Sequence, residues 1–358
     1  MSKTAPVVKA TVDPTAFYEE VKKMHLRPLW LQQAHGPHKL AVPHLWKWPE
    51  VRAQMMHAAE VVSTENVERR VLGLMNPGLE NSGRFATTPN LVAAIQMILP
   101  GETALAHHHT PAALRIIIEG ESSYTCTDGE RLWMEPGDLI LTPAWSYHDH
   151  KNEGKGPMIW LDGLDVPLVQ AMDTFFFELY PGKRTQPVTQ ADEASMSRFA
   201  APGMRPAAFT WQKNYSPLTK YPWKKMVQAL DAMKEADASP HDDLRLEYFN
   251  PHTGGPVMPT IGCFAQKLSA GAHTKQHRHS SSAIYYVFRG AGYSVIEGKR
   301  FDWSERDIFV VPGWHWHEHV NLSVREQAML ISYTDEPLLK TLGIHREEST
   351  NTPDEEKR

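Results

Sequence analysis

The chain has 358 residues, of which 41% are hydrophobic and 22% are charged, and its formal net charge is −5. This length allows two ordinary domains, and the composition is that of a soluble globular protein. The small acidic excess argues against nucleic acid and membrane surfaces as partners, and no apolar run approaches the roughly 20 residues of a membrane span. Because the N-terminus also lacks the apolar core of a signal peptide, we expect a cytoplasmic protein.

Residues 1–90 are predicted to form a mainly helical N-terminal extension. The segment DPTAFYEEVKKMHL places acidic residues early and lysines late, and WKWPEVRAQMMHAAEVV carries Pro49 in its first turn, as helices often do. From about Leu91 the pattern changes to short apolar or alternating runs separated by the turn signals PGE, DGE and EPGD. This spacing predicts an antiparallel β-sandwich or barrel over residues 91–182.

The strand pattern returns later in the chain. Residues 183–250 are polar and predict a linker with one amphipathic helix, WKKMVQALDAMKEA, whereas 251–335 again read as short strands. Residues 336–358 are expected to form a short helix and a charged, disordered tail, REESTNTPDEEKR. The two cysteines, Cys126 and Cys263, are too few to staple such a chain, and we expect both to be small buried residues in a reducing compartment.

An internal repeat relates the two strand-rich regions. The segment HHHTPAALRIIIEG aligns with HRHSSSAIYYVFRG, which pairs His107 with His277 and His109 with His279. Further on, PAWSYHDHKN aligns with PGWHWHEHVN. A repeat of this kind indicates two copies of one β-domain. The predicted fold class is therefore an all-β core of two tandem barrels with helical N-terminal and linker segments.

The run of three histidines predicts a metal site. Side chains at i and i+2 of a strand share a face, so His107 and His109 point one way and His108 points the other. His148 comes later in the same copy and can arrive from a neighbouring strand. Three imidazoles from two strands form a three-point metal site with open positions.

The second copy retains the same three ligand types, at His277, His279 and His317. We therefore consider a possible second metal site in this copy. The alternative is a structural lobe that supports assembly, because the interior of this copy is otherwise rich in aromatic residues.

The two histidine segments resemble the motifs of the cupins, which are small jelly-roll barrels. The motif glutamate, however, falls at Ala113, and Trp145 replaces a motif glycine. Loss of the glutamate leaves neutral ligands only. A divalent metal would keep its full charge and favour an anionic, chelating substrate.

A closer resemblance, covering most of the chain, is to the bicupin ring-cleaving dioxygenases: gentisate 1,2-dioxygenase with its salicylate and 1-hydroxy-2-naphthoate relatives. The blocks that carry it are ERRVLGLMNPGL, HHHTPAALRIIIEGE, TPAWSYHDH, WLDGLDVPL and NPHTGGPVMPT. The resemblance implies one Fe(II) per first cupin domain, O2, and no organic cofactor. It implies ring opening between the carboxyl- and hydroxyl-bearing carbons of a 2-hydroxybenzoate, with gentisate giving maleylpyruvate as the first expectation. It also implies a homo-oligomer, commonly a tetramer.

Two residues of the first copy are predicted to act on the substrate. Arg115 follows His109 by six residues and, if the strand is regular, is expected to face the interior and hold the substrate carboxylate through two parallel hydrogen bonds. The alternative is a surface arginine that points outward after a bulge. Its counterpart in the second copy is Tyr285, which favours the first copy as the acid-binding one. His150, two residues after His148, is expected to hydrogen-bond substrate or a reduced oxygen species, unless it is a capping or turn residue.

Four further residues are assigned roles with a plain alternative for each. Asp162 is expected to orient a ligand histidine or His150, unless it is a turn residue. Gln96 matches a pocket position of the family, unless it is a polar edge residue. Arg69 and Arg70 match a family pair that reaches into the site from the N-terminal region. The alternative is that at least one of them is a structural salt-bridge partner.

Other functions stay open from the sequence. A non-catalytic bicupin would use Arg115 and the histidines to bind an anion or a structural Zn(II). A thiol or flavonol dioxygenase of cupin type is a second alternative, disfavoured by the ERRVLGL and WLDGLD blocks. Among ring-cleaving enzymes, salicylate, substituted salicylates and hydroxynaphthoates are alternatives to gentisate.

Overall fold

A computed structural model describes residues 13–31, 36–63, 69–182 and 185–350. The helices of these residues are α1 (Thr15–Lys23), α2 (Trp48–Val61), α3 (Val166–Ala171), α4 (Ala194–Phe199), α5 (Trp223–Ala232) and α6 (Glu336–Thr341). Within this part of the chain, each helix is too short or too polar to cross a membrane. The described residues up to His38 form a small unit of their own, in which Phe17 of α1 stacks on Trp30.

Strands are the main secondary structure of the larger unit, whose described residues end at residue 350. The strands up to the middle of the chain are β1 (His44–Trp46), β2 (Arg70–Gly73), β3 (Val92–Ile98), β4 (Thr103–His109), β5 (Ala113–Glu119), β6 (Ser123–Thr127), β7 (Glu130–Trp133), β8 (Leu139–Thr142), β9 (His148–Asn152), β10 (Met158–Leu164), β11 (Phe177–Leu179) and β12 (Lys220–Tyr221). Those that follow are β13 (Leu244–Tyr248), β14 (Gly262–Leu268), β15 (His277–His279), β16 (Ala283–Arg289), β17 (Ala291–Ile296), β18 (Lys299–Ser304), β19 (Ile308–Val311), β20 (His317–Asn321), β21 (Ala328–Thr334) and β22 (Glu347–Ser349).

The strands form two barrels of the same topology. The first barrel consists of a six-stranded sheet, β12-β8-β5-β10-β3-β2, and a five-stranded sheet, β11-β4-β9-β6-β7. The second barrel repeats this order in the sheets β1-β19-β16-β21-β14-β13 and β18-β17-β20-β15-β22. The prediction of two tandem antiparallel barrels from the repeat is confirmed.

Both barrels take edge strands from outside the repeats. β1 and β2 come from the N-terminal extension, where they accompany α1 and α2, and each pairs with a barrel strand. β12 and β13 come from the region predicted as a linker. Short added strands cover sheet edges that would otherwise expose unpaired backbone groups.

The C-terminal tail differs from its prediction in the residues that the structure describes. Glu347–Ser349 is the strand β22 and pairs with β15, so the expected disorder is wrong there. Glu348 is buried and lies 2.5 Å from Arg278 and 2.6 Å from Arg346. Strand pairing and these ion pairs outweigh the polar composition. Residues 351–358, the rest of the predicted tail, lie outside the described residues.

One hydrophobic core joins the two barrels. Ile95 and Leu161 of the first six-stranded sheet and Ile284 and Ile331 of the second are buried in the same cluster. The two six-stranded sheets therefore pack against each other, and the five-stranded sheets carry the histidine pairs. Cys126 and Cys263 are buried free thiols, as predicted, one in each barrel.

A close approach at this core generates a stability prediction. Gly163 on β10 faces the ring of Tyr333, whose nearest carbon would lie 2.7 Å from an added Cβ. We expect Gly163→Ala to lower the free energy of unfolding by about 1–3 kcal/mol, because the fully buried ring has no room to retreat. The control is Gly156→Ala, where nothing lies within 4 Å, with an expected change within about 0.5 kcal/mol. Equal denaturation midpoints for the two variants would contradict this packing.

Candidate metal centre and active site

The first histidine triad is assembled by two neighbouring strands. His107 and His109 lie on β4, and His148 lies on β9, directly opposite His107 in the strand register. All three are buried, and one ring nitrogen of each lies within 4.8 Å of the others. His108 points away, stacks on Tyr147 and lies 2.9 Å from a glutamate carboxylate. The expected geometry, in which the outer two of the run meet a third histidine, is confirmed.

Backbone carbonyls fix the tautomer of each ring in this triad. The Nδ1 atoms lie 2.6 to 2.9 Å from carbonyl oxygens: His107 from Leu105, His109 from Pro111 and His148 from Ser146. A carbonyl oxygen can only accept, so each Nδ1 carries the proton. The lone pair of each imidazole is therefore on Nε2, where a metal can take it.

The electrostatics of the first triad favour neutral imidazoles. Burial lowers the pKa of His109 to about 4 and that of His107 to about 2, and the positive charge of Arg69 adds to both shifts. Burial also lowers the pKa of His148 well below its ordinary value. At neutral pH the three rings thus offer lone pairs rather than positive charges.

Two features of the first triad indicate that a metal cation fits between its Nε2 atoms. Nε2 of His148 is buried and makes no hydrogen bond to any described residue. Nε2 of His107 lies 2.9 Å from Nη1 of Arg69, so a guanidinium approaches the lone pair from the side where a metal would bind. A divalent metal would give Nε2 of His148 a partner and would displace the guanidinium of Arg69 from Nε2 of His107.

A turn beside the triad carries a bulky residue in a left-handed conformation. Trp145 has a φ of +63°, and its N–H donates to the carbonyl of His109 at 2.8 Å. Trp314 repeats this in the second barrel, with a φ of +62° and a hydrogen bond of 2.7 Å to His279. Glycine is the residue that adopts this conformation at no cost, which explains the motif glycine at this position.

A cavity of about 400 Å³ adjoins His109. Its apolar lining is Val71, Phe85, Val92, Ala94, Leu164 and Val166, and its polar lining is Arg69, Gln96, Arg115 and Asp162. The apolar side chains suit an aromatic ring, and the two guanidinium groups suit an anion.

Arg115 faces the cavity, but not for the reason deduced from spacing. The chain passes from β4 in one sheet to β5 in the other between residues 109 and 113, so strand alternation from His109 does not continue to Arg115. Nη1 of Arg115 donates to Thr142 at 2.7 Å. Burial lowers the pKa of Arg115 to about 10, which leaves it charged at neutral pH.

Asp162 does not orient a histidine, contrary to expectation. It lies opposite Arg115 in the register of β10 and β5, and its Oδ1 is 3.2 Å from Nε of that guanidinium. Oδ2 accepts a hydrogen bond of 2.9 Å from Trp160. Burial raises the pKa of Asp162, and the positive charge of Arg115 opposes the shift. The carboxylate therefore holds the arginine rather than a ligand ring.

The arginine pair divides between two roles. Arg69 lines the cavity and lies over the ring of Phe177. Arg70, the first residue of β2, forms two hydrogen bonds of 2.5 Å to Glu102 and one of 2.8 Å to the carbonyl of Val62. Consecutive residues at the start of a strand point to opposite faces, so only Arg69 is brought to the cavity. For Arg70 the salt-bridge alternative is correct.

Gln96 and His150 each have a buried nitrogen atom that makes no hydrogen bond to a described residue. Gln96 lines the cavity from β3, and its amide nitrogen is buried without a hydrogen bond among the described residues. Nδ1 of His150 lies 2.9 Å from Thr125, and its Nε2 is likewise buried and unbonded in that part of the chain. The ring of His150 is 5.9 Å from that of His148. Both residues are therefore close to the reaction space that the sequence predicted.

The second triad is similar, except that Nδ1 of His277 is buried and makes no hydrogen bond to a described residue. His277 and His279 lie on β15 and His317 on β20, with one ring nitrogen of each within 4.8 Å of the others. Nδ1 of His279 lies 2.8 Å from the carbonyl of Ser281, and Nδ1 of His317 lies 2.9 Å from that of His315. This geometry can hold a second metal ion.

The charges around the second triad differ from those around the first. Burial lowers the pKa of His277 to about 3, and the carboxylate of Asp242 opposes this shift. Asp242 in turn lies 3.2 Å from Arg245. Tyr285, at the position of Arg115, stacks on Phe309. Sequence reasoning missed the aspartate and arginine because they fall in the predicted linker, although the alternation in LRLEY was a strand signal.

Two cupin barrels, each with a histidine triad, define the class of this protein. The cupin domain family profile matches residues 94–165 and 264–333, which are the central strands of the two barrels. The strand topology and the family profile thus agree on a bicupin.

Similarity to individual proteins narrows the class. The chain is 38% identical to gentisate 1,2 dioxygenase 1 of Aquipseudomonas alcaligenes, over 94% of this chain and 96% of that protein. It is 37% identical to 5-aminosalicylate 1,2-dioxygenase of Comamonas sp., over 95% and 91%. The crystal structure of salicylate 1,2-dioxygenase from Pseudoaminobacter salicylatoxidans with gentisate superposes with a TM-score of 0.88 at 33% identity, covering 97% of both chains. The chain belongs to the family of gentisate- and salicylate-type ring-cleaving dioxygenases, and it is an oxidoreductase.

The opposite orientations of neighbouring histidines give a matched test of the first triad. We expect His109→Ala to contain one metal ion per chain fewer than His108→Ala, because only the former removes an inward-facing Nε2. Turnover should be lost in the same variant. Metal analysis after reconstitution, together with oxygen uptake, measures both. Equal metal contents in the two variants would show that His109 is not a ligand.

Proposed function

We propose that this chain is an Fe(II)-dependent dioxygenase that inserts O2 between the carboxyl- and hydroxyl-bearing carbons of a 2-hydroxybenzoate, with gentisate converted to maleylpyruvate. Salicylate, substituted salicylates and 1-hydroxy-2-naphthoate are the alternative substrates. The observation that carries the proposal is the triad of neutral imidazoles beside a cavity that holds Arg69 and Arg115. A homotetramer in the cytoplasm is the expected assembly and location.

His107, His109 and His148 would hold the iron through their Nε2 atoms. Iron bound there supplies the redox chemistry that lets O2 react with an aromatic ring. Because all three ligands are neutral, the ion keeps its charge, and an anionic substrate with two adjacent oxygens is favoured over a neutral one. The unbonded Nε2 of His148 supports this assignment.

The cavity residues would bind and orient the acid. The guanidinium of Arg115 would receive the carboxylate, while Asp162 and Thr142 hold its orientation. Val92 and Ala94 would contact the ring. The buried amide nitrogen of Gln96 has a hydrogen bond to give, and a substrate hydroxyl is a suitable acceptor.

The choice of gentisate rests on chemistry shared by relatives. Two similar proteins are named for gentisate and for 5-aminosalicylate, which are both 2-hydroxybenzoates with a polar group at carbon 5. A panel of gentisate, 5-aminosalicylate, salicylate and 1-hydroxy-2-naphthoate with Fe(II) and O2 tests the assignment. A higher kcat/KM for salicylate than for gentisate would make salicylate, and not gentisate, the assigned substrate. Binding of these acids without oxygen uptake would favour the non-catalytic bicupin.

Arg115→Ala tests the acid-binding role. We expect it to retain iron and to raise KM for gentisate about 10- to 100-fold, because charge-assisted hydrogen bonds are lost. The companion Arg115→Ala/Asp162→Asn removes the buried carboxylate that the single variant leaves unpaired. Arg131→Ala, which alters a partly exposed arginine paired with Asp192, is the control and should keep KM. Loss of iron from both Arg115 variants would count against the assignment.

The second triad is proposed to bind a divalent metal without turning over the acid. Asp242 supplies negative charge beside His277, whereas Tyr285 stands in place of the acid-binding arginine. We expect two metal ions per wild-type chain and one in His317→Ala, with turnover of the latter retained. Metal analysis and oxygen uptake on the same samples check this. One ion per chain in both proteins would leave the second triad as a structural cluster.

A further inference from the structure

We propose that Asp165 is a positioning residue for the metal ligand His109 and that the second barrel holds this aspartate in place through Thr260. The inference rests on the proposed function only in taking iron as the metal of the first triad. It assigns a role in that centre to two residues that are neither metal ligands nor part of the described lining of the acid cavity.

A single peptide group links Asp165 to His109. The carbonyl of Pro111 accepts a hydrogen bond of 2.7 Å from Nδ1 of His109. The N–H of the same peptide unit, that of Ala112, donates to Oδ1 of Asp165 at 2.8 Å. The other carboxylate oxygen, Oδ2, accepts a hydrogen bond of 2.6 Å from the hydroxyl of Thr260. Asp165 follows β10 of the first barrel, and Thr260 precedes β14 of the second.

The second barrel repeats this chain of hydrogen bonds at the corresponding positions. Nδ1 of His279 lies 2.8 Å from the carbonyl of Ser281, and the N–H of Ser282 donates to Oδ1 of Asp335 at 2.7 Å. Oδ2 of Asp335 accepts a hydrogen bond of 2.7 Å from Asn90, which precedes β3 of the first barrel. Each aspartate is thus held by the opposite barrel.

The repetition argues against a chance contact. Every member has its counterpart 170 positions along the chain: His109 and His279, Pro111 and Ser281, Ala112 and Ser282, Asp165 and Asp335, and the donors Asn90 and Thr260. Only the two aspartates and the two histidines keep the same side chain. The donors differ in chemistry, yet each supplies one hydrogen bond to the same carboxylate oxygen.

The physical effect follows from the rigidity and polarity of the peptide group. The unit is planar, so fixing the N–H of Ala112 also fixes the direction of the Pro111 carbonyl. A carboxylate on the N–H polarises the unit and makes its oxygen a stronger acceptor for His109. A stronger acceptor on Nδ1 makes Nε2 a better metal ligand and holds the ring in its plane.

Burial of the carboxylate makes this link sensitive to the second barrel. Asp165 is 3% exposed, so water does not replace a lost partner readily. Without the hydroxyl of Thr260, Oδ2 would be a buried acceptor with one partner fewer, and the side chain would be free to turn away from Ala112. The barrel that lacks the acid-binding arginine therefore supports the metal centre of the barrel that has it.

The test measures iron affinity rather than turnover alone. Asp165→Asn keeps the shape and a hydrogen bond to Ala112 but removes the charge, and Thr260→Val removes only the hydroxyl. We expect each to weaken Fe(II) binding at the first triad, Asp165→Asn by about 10-fold or more, as for other partners of metal-bound histidines. Thr260→Ser should restore wild-type affinity. Iron retained against a series of chelator concentrations and the Fe(II) concentration that half-restores turnover are the two readouts.

A matched control separates this role from general stabilisation of the interface. Tyr333→Phe removes another hydrogen bond between the barrels, the 3.4 Å contact of its hydroxyl with the carbonyl of Val92, and should keep the iron affinity. At saturating iron, KM for gentisate should be unchanged in all four variants. Wild-type iron affinity in Asp165→Asn and Thr260→Val, with a lowered melting temperature, would overturn the proposal. Absence of iron binding or turnover in the wild type would instead overturn the proposed function.

Discussion

The hydrogen bond from Nδ1 of each ligand histidine to a backbone carbonyl is the constraint on which the first centre depends. A neutral imidazole can present either nitrogen, and only a fixed acceptor decides which. In the first triad the acceptors are carbonyls two residues away in the chain, at Leu105, Pro111 and Ser146. The strand and turn geometry of the barrel therefore sets the direction of three lone pairs before any metal arrives.

The same barrel with a histidine triad occurs in two different electrostatic environments. In the first barrel the triad faces Arg69 and Arg115, and in the second it faces the ion pair of Asp242 and Arg245. The fold alone does not distinguish a centre that receives an aromatic acid from one that only holds a cation. The difference lies in a few charged side chains carried by strands of the opposite sheet and by edge segments.

Much of the site could be predicted because its pattern is local or repeated. The face shared by His107 and His109 follows from strand alternation, and the third ligand follows from the repeat. The partner of Asp162 could not be predicted, because it depends on the register between β10 and β5, which lie far apart in the sequence. The side of the sheet to which Arg70 points likewise depends on where β2 begins.

The edge strands show the same limit at the level of the fold. β1, β12 and β22 are two to three residues long and carry little periodicity of their own. They are strands because a barrel edge offers them hydrogen bonds, which composition does not reveal. The longer strands β3 and β10 can be predicted because each contains an apolar run long enough to indicate a strand.

The twin tryptophans at Trp145 and Trp314 place the same conformational cost in both barrels. A left-handed conformation costs a residue with a Cβ about 1–2 kcal/mol, and glycine would avoid that cost. In each barrel the residue that bears this cost donates its N–H to the carbonyl of a ligand histidine, His109 or His279. Each histidine triad therefore lies beside a turn that stores conformational energy, which a glycine at the same position would release.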